Sequence, residues 1–465
     1  MSDQFVDNKE QNNEQKIDNL ITPGDNNNIN QNINMQGESY NNLAQNLLPS
    51  SGFQKKEDQV QQNNNLLNNN SNNNNNDSNQ NLNIDNNIQN SNKNFIEKNN
   101  QLNDKKTEVK TFFKRYRKAP RTALEYEKEI SYLNSVLQSI GHVKKLAYYF
   151  LNNEKEIYKN VKQMPLSFVT SRLFKHLYPY PENPICEIYS AKAYLQVLAA
   201  INLIYSTDGI KNPNDLLIFI LDTLNAEINF NKIIPQVKYN QFDFNDTIEK
   251  NLQTIKDNMT VISKNFNWLQ LTESKCSICN KTMFKLLSFN TFNLDIFNSY
   301  KENSKKGIQQ VSIYDCLNIY KTPKILKLRC DGCDNKFRDL NTMTQIFSGP
   351  DTFIFLIDRG INFDKANALM TIPFLIEEKI DLKGFILNEK STKLNYELTG
   401  IVSILLNEKE KKYVSYCVSP IDDCWYYYND NIVEYTQLEI ILKEHNIKKN
   451  NVPCILFYRA IPQKK

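Results

Sequence analysis

The chain has 465 residues, 40% hydrophobic and 23% charged, with a formal net charge of +4. That length allows two to four domains or one large elaborated domain. The mean hydropathy is −0.58 and no run of about 18 apolar residues occurs, so no membrane-spanning helix is expected, and so small a charge gives little support for direct nucleic-acid binding.

The first thirty residues contain no apolar core of a secretory signal, which points to the cytoplasm or nucleus. Residues 1 to about 108 are low-complexity: 21 of the 40 residues from 61 to 100 are Asn. Such a segment buries too little apolar surface to offset its chain entropy, so a disordered tail is expected. It reads as a spacer, with prion-like self-association as the alternative. From 105 to 121 the chain turns basic through Lys105, Lys106, Lys110, Lys114, Arg115, Arg117, Lys118 and Arg121. This run suits a solvated junction, or else an import patch.

The folded part begins near residue 120. Leu133, Val136, Leu137, Ile140, Val143, Ala147 and Phe150 recur at spacings of three and four, which predicts one amphipathic helix. A second helix is predicted from Pro213 through Leu216, Leu217, Ile220, Leu221 and Leu224, with proline in the first turn where its missing N–H costs little. After about 230 the texture becomes β. Thr352 to Ile357 is a continuous apolar run of buried-strand length. Gly400–Leu406, Tyr413–Val418, Trp425–Tyr428 and Cys454–Tyr458 are further strand candidates. Helices first and strands later predict an α+β fold.

Of nine cysteines, Cys276 with Cys279 and Cys330 with Cys333 form two C-x-x-C pairs separated by 50 residues. Two residues between cysteines let a tight turn aim both sulfurs at one ion, and two such turns complete a tetrahedral four-thiolate zinc site. The intervening segment reads as β-hairpins. Cys186, Cys316, Cys417, Cys424 and Cys454 stand singly in apolar contexts and read as small core residues.

Tyr132-Leu133-Asn134-Ser135-Val136-Leu137-Gln138-Ser139 resembles the first box of the ubiquitin-specific proteases, whose pattern is G-N-T-C-Y-M-N-S-V-L-Q. Both C-x-x-C pairs are similar to that family's zinc-binding fingertips. Further matches follow in family order: Pro213 to Leu217, Phe353 to Arg359, Ile372 to Leu382, Tyr396 to Tyr416, Trp425 to Asp430, and Ile455 to Arg459. The resemblance covers about residues 120 to 460. It implies a papain-like fold with a helical thumb (about 120–230), zinc-bearing β fingers (about 236–345) and a β palm (about 346–462) within a domain from 109 to 465, following the tail. It also implies ubiquitin or a ubiquitin-like protein as partner.

The chemistry that the resemblance implies is missing residues. The family cleaves with a cysteine thiolate that a histidine deprotonates. Here the cysteine position is Ser131, the histidine position is Lys412, and the third position keeps an allowed residue, Asn429. The oxyanion position is Glu129, where a carboxylate would repel developing negative charge, reversing a contribution usually worth about 3 kcal/mol. Glu129 and Lys412 are expected to neutralise each other, with a Ser131–Lys412 catalytic pair as the alternative. Asp215 keeps an acid that faces the basic ubiquitin tail in the family, and Tyr413 and Trp425 keep residues beside the cleft, whereas Asn212 and Lys211 depart from the pattern. Three readings follow. The first is a pseudoenzyme that binds ubiquitin, the second a scaffold in a larger multiprotein, RNA-processing assembly, and the third an active deubiquitinase with an unrecognised nucleophile.

Overall fold

The computed structural model describes residues 108–109, 111–114, 120–127, 129–179, 187–229, 252–255, 257–359, 368–387, 394–405, 412–448 and 451–462. The Asn-rich tail up to residue 107, Cys186 and most of the basic run lie outside the described residues. Of that run, Arg121 places its guanidinium 5.6 Å from the centroid of the Tyr426 ring.

The N-terminal half is helical: α1 (Ser131–Gly141), α2 (Lys144–Asn152), α3 (Pro165–Leu177), α4 (Lys192–Ile201) and α5 (Pro213–Ile228). The single helix predicted from the apolar spacing is two helices. Val143 is extended between them (φ −74°, ψ 102°). The spacing persists across the break because both helices bury the same kind of face. Two long-range contacts fix the break. Gly141 packs so close to α3 that a Cβ there would meet Leu177 at 2.5 Å. His142 is buried and hydrogen-bonded to the Tyr428 hydroxyl at 2.7 Å. In α5 the expected Pro213 occupies the first turn, and the Asn212 side chain caps it by accepting the Asn214 N–H at 3.0 Å. Glu227 on α5 in turn caps α3, accepting the Leu166 and Ser167 amides at 2.9 and 2.7 Å.

The strands form two main sheets. The larger follows the order β13-β12-β11-β10-β14-β8-β5, with β9 beside β10. Its members are β5 (Phe292–Asn293), β8 (Thr352–Leu356), β9 (Lys379–Asp381), β10 (Asn395–Leu405), β11 (Lys412–Val418), β12 (Trp425–Asn429), β13 (Ile432–Thr436) and β14 (Asn451–Ala460). The predicted apolar run is β8, buried at every position between β14 and β5, as a strand covered on both faces requires. The smaller sheet has the order β4-β3-β7-β6, from β3 (Trp268–Cys276), β4 (Thr282–Phe289), β6 (Lys324–Cys330) and β7 (Lys336–Ser348). A two-residue parallel pair joins β1 (Ala123–Leu124) and β2 (Ile188–Tyr189).

The segment between the two cysteine pairs is not a set of hairpins alone. It contains helices α6 (Ile296–Lys305) and α7 (Ile313–Tyr320). Their apolar sides, with Ile296, Ile313, Cys316 and Leu317, join the core around Trp268, Phe292 and Phe355. Burial against the larger sheet holds these short helices, because helices of this length are marginal alone. Helix α1 lies against β11, which brings its N-terminus to the corner where β11 begins and β12 ends.

Candidate functional site

Ser131 opens α1 and is 4% exposed. Its hydroxyl accepts a hydrogen bond from the Tyr413 amide at 3.1 Å, although 282 residues separate the two. Tyr413 follows Lys412 at the start of β11. The Lys412 Nζ lies 3.4 Å from Oδ2 of Asp430 and 5.3 Å from the centroid of the Tyr126 ring. The other carboxylate oxygen of Asp430 accepts a hydrogen bond from Asn134 Nδ2 at 2.8 Å. That amide also donates to the Glu125 carbonyl at 3.0 Å. Asn134 lies one turn after Ser131 on α1, so a polar chain runs from α1 through Asp430 to Lys412.

Asp430 has a φ of 48°, in the left-handed turn between β12 and β13, a conformation that Asp tolerates better than most residues. Burial holds its carboxyl above the usual range, against the opposing effects of the Asn134 hydrogen bond and the Lys412 charge. Asn429 does not take this contact. Its Oδ1 is buried without a hydrogen-bond partner among the described residues. The cation therefore meets the last residue of the Trp425 to Asp430 match, not Asn429, the one expected to act with it. The doublet Asn429-Asp430 was the available signal, and only the turn distinguishes its members.

Glu129 and Lys412 do not pair. Glu129 has a φ of 67°, and its Oε2 accepts the Gly209 amide at 2.7 Å. The left-handed backbone just before α1 commits this carboxylate to the loop ahead of α5, while Lys412 finds the more deeply buried Asp430.

None of the three histidines hydrogen-bonds to Ser131. His142 and His445 are buried, and desolvation lowers each imidazole to about 4. His142 contacts the Gln138 carbonyl and the Tyr428 hydroxyl, and His445 contacts the Ser403 hydroxyl and the Ile441 carbonyl. His176 stacks on Tyr189 at 4.3 Å. Burial raises the thiols of Cys316, Cys417 and Cys454 to about 12, which leaves them inert near neutral pH. Half-buried Cys424 is also raised, by desolvation and then by Asp422 and Asp423.

Asp215 is exposed in the first turn of α5. Partial loss of hydration, then the charge of exposed Asp358, raises its carboxyl. These two carboxylates make a local acidic spot. Tyr413 and Trp425, by contrast, are only 3% and 9% exposed. Trp425 packs into the main core.

At the tip of the smaller sheet the four thiol sulfurs of Cys276, Cys279, Cys330 and Cys333 all lie within 4.8 Å of one another. Cys276 Sγ is 3.9 Å from Cys333 Sγ, and Cys279 Sγ is 3.5 Å from Cys330 Sγ. Cys276 closes β3 and Cys330 closes β6, strands that flank β7 on either side, and the turns that follow them bring the four sulfurs together. The Ile278 N–H points at Cys276 Sγ at 3.4 Å. A Cβ on Gly332 would sit 2.8 Å from Cys279 Sγ, so the close turn needs glycine. This set can hold one metal ion. Among the described residues no helix is long and apolar enough to cross a membrane.

The model of the ubiquitin carboxyl-terminal hydrolase family matches residues 122–458. No curated protein matches the sequence. Solved structures do. The SAGA Ubp8/Sgf11/Sus1/Sgf73 DUB module bound to ubiquitin aldehyde matches at TM-score 0.54 and 16% identity, covering 74% of this chain and 71% of that chain. The same module carrying a Ubp8 variant, bound to monoubiquitin, matches at TM-score 0.54 and 17% identity, covering 75% and 72%. The yeast SAGA DUB module with an Sgf73 variant matches at TM-score 0.52 and 16% identity, covering 76% and 70%. At such identity the likeness establishes the fold, which is the α+β ubiquitin-specific protease fold.

Proposed function

This chain belongs to the ubiquitin carboxyl-terminal hydrolase family, and from that premise we propose that it binds ubiquitin or a ubiquitin-like protein as a pseudoenzyme, without hydrolysing it. The observation that carries this reading is the Lys412–Asp430 contact beside a serine whose hydroxyl accepts the Tyr413 amide. Hydrolysis by this fold needs an acidic nucleophile, a neutral base and donors for the oxyanion. A serine hydroxyl is far less acidic than a thiol. An ammonium group has no lone pair to receive its proton. Glu129 offers an acceptor where a donor is required. The histidines and the single described thiols are engaged or buried elsewhere.

Recognition has separate support. Exposed Asp215 and Asp358 offer negative charge to a basic tail, and Lys211 beside Asn212 weakens that field without cancelling it. In this reading the helices up to about residue 230 form the thumb, the smaller sheet the fingers and the larger sheet the palm. Zinc suits the thiol cluster. Four thiolates at about 2.3 Å from one ion place their sulfurs about 3.8 Å apart, close to the 3.5 and 3.9 Å found here. Bound zinc would staple the two turns and leave no open position for catalysis.

A second reading is a scaffold subunit whose ubiquitin site is lost. Its support is that solved structures similar to this chain include modules in which Ubp8 is assembled with Sgf11, Sus1 and Sgf73.

Titration of the full chain with fluorescent ubiquitin, beside treatment with a ubiquitin-derived electrophilic probe, tests both. Saturable binding that weakens in Asp215→Arg, with no covalent adduct, is expected. Absence of binding would favour the scaffold. A covalent adduct that Ser131→Ala abolishes would overturn the pseudoenzyme reading.

A further inference from the structure

Among the described residues strand β6 is the outer edge of the smaller sheet, paired with β7 on one side only. Every residue from Lys324 to Arg329 is exposed. Among them Ile325, Leu326 and Leu328 are 77%, 41% and 38% exposed. The partner strand adds Phe337 at 55%, with the Arg329 guanidinium 5.2 Å from its ring centroid. The edge is also cationic. Lys324, Lys327 and Arg329 lie on β6, and Lys336 and Arg338 on the facing end of β7. Asp339 opposite Lys327, and Asp331 and Asp334 in the turn, only partly offset them.

We propose that β6 is a docking edge that takes an extended acidic segment of another protein as an added strand. Half of the backbone N–H and C=O groups of an edge strand point away from its neighbour, and a bound strand satisfies them. Side chains alternate between faces. Ile325, Lys327 and Arg329 therefore share one face, and Lys324, Leu326 and Leu328 the other. The complementary segment alternates in the same way, with carboxylates beside Lys327 and Arg329 and aliphatic side chains beside Leu326 and Leu328.

Charge selects against a second copy of the chain. Antiparallel pairing of two β6 strands centred on Lys327 would set Lys327 against itself, and like charges directly opposite are destabilising. Lysines alone can serve to guard an edge. A guard does not account for three exposed aliphatic side chains interleaved with the cations, whereas an alternating partner uses both sets.

The test is fluorescence anisotropy of the full chain with a labelled peptide of alternating glutamate and valine. Saturable binding is expected, at least tenfold weaker in the double variant Lys327→Glu with Arg329→Glu. It should also be at least tenfold weaker for the same peptide N-methylated at alternate amides. An unchanged unfolding midpoint and metal content in the double variant exclude a folding defect, and Leu326→Thr offers a second, uncharged probe of the same edge. Equal binding of the N-methylated peptide would overturn strand addition. So would a single-stranded oligonucleotide that displaces the peptide and binds more tightly, or no saturable peptide binding at all.

Discussion

Lys412 reaches Asp430 across the β11–β12 edge, Nζ to Oδ2 at 3.4 Å, with the aspartate side chain 2% exposed and the lysine side chain 24% exposed. A carboxylate so buried needs compensation, and here it has one amide donor and one cation. The pair occupies the corner that the family resemblance assigns to a histidine and its orienting residue.

Lys412→Met should therefore destabilise the fold. Removing one partner of a fully buried pair costs about 3–5 kcal/mol. Solvent reaches Lys412, and Asn134 still bonds to Asp430, so about 1–3 kcal/mol is expected. The Asp430 carboxyl, already raised by burial, should rise further without the cation. A carboxyl raised on folding contributes stability at low pH and loses it as pH climbs through its folded pKa. The deficit of the variant should be largest near neutrality and shrink on acidification. Urea unfolding across that range checks this, and equal deficits at both ends would contradict it.

Catalysis should not return with a single repair. Ser131→Cys supplies a thiol that still lacks a base at Lys412 and an oxyanion donor at Glu129. Members of one catalytic unit are strongly non-additive. Ser131→Cys, Lys412→His and Glu129→Asn together give the best prospect, with Asn429 and Asp430 both available to orient an imidazole. The assay is fluorophore release from the ubiquitin C-terminus. Wild-type turnover that vanishes in Ser131→Ala would refute the expectation.

Glu227 should make stability fall as pH rises from about 4.5 to about 7. Burial raises its carboxyl from 4.5 to about 7 despite the two amides that it caps. Because the folded pKa is the higher one, its contribution is complete below about 4.5 and lost as pH passes about 7. At about 1.4 kcal/mol per pKa unit the change is on the order of 3 kcal/mol. Glu227→Gln should flatten this part of the stability–pH curve while keeping one amide capped. An unchanged slope in thermal unfolding between those pH values would show that another group carries it.

Elemental analysis should find close to one zinc per chain, reduced to a trace in Cys330→Ser. Hydrogen exchange in that variant should speed up at the ends of β3, β4, β6 and β7 while β10 stays protected. A metal-free wild-type chain with a protected sheet tip would contradict the assignment.

Much of the fold was legible because its signals are local. Pro213 announces the first turn of α5. The strand runs match β8, β10, β11, β12 and β14 to within a few residues. The C-x-x-C spacing already sets each pair of sulfurs in one turn. These patterns record burial and hydrogen-bond demands met by near neighbours, and so they survive without knowledge of the fold.

Tertiary structure decided what joins distant segments. The α1–α2 break depends on His142 meeting Tyr428 across 286 residues. The helices between the cysteine pairs depend on a core to which Phe355 and other distant residues contribute. Position 412 is readable in the sequence as the place to which the family resemblance assigns a histidine. That its lysine meets Asp430, while Glu129 bonds to Gly209 and the Asn429 Oδ1 has no partner among the described residues, follows from two left-handed residues and from where α1 rests on β11. A charge can pair only with a partner within its reach, and which partner is within reach is set only once the chain has folded.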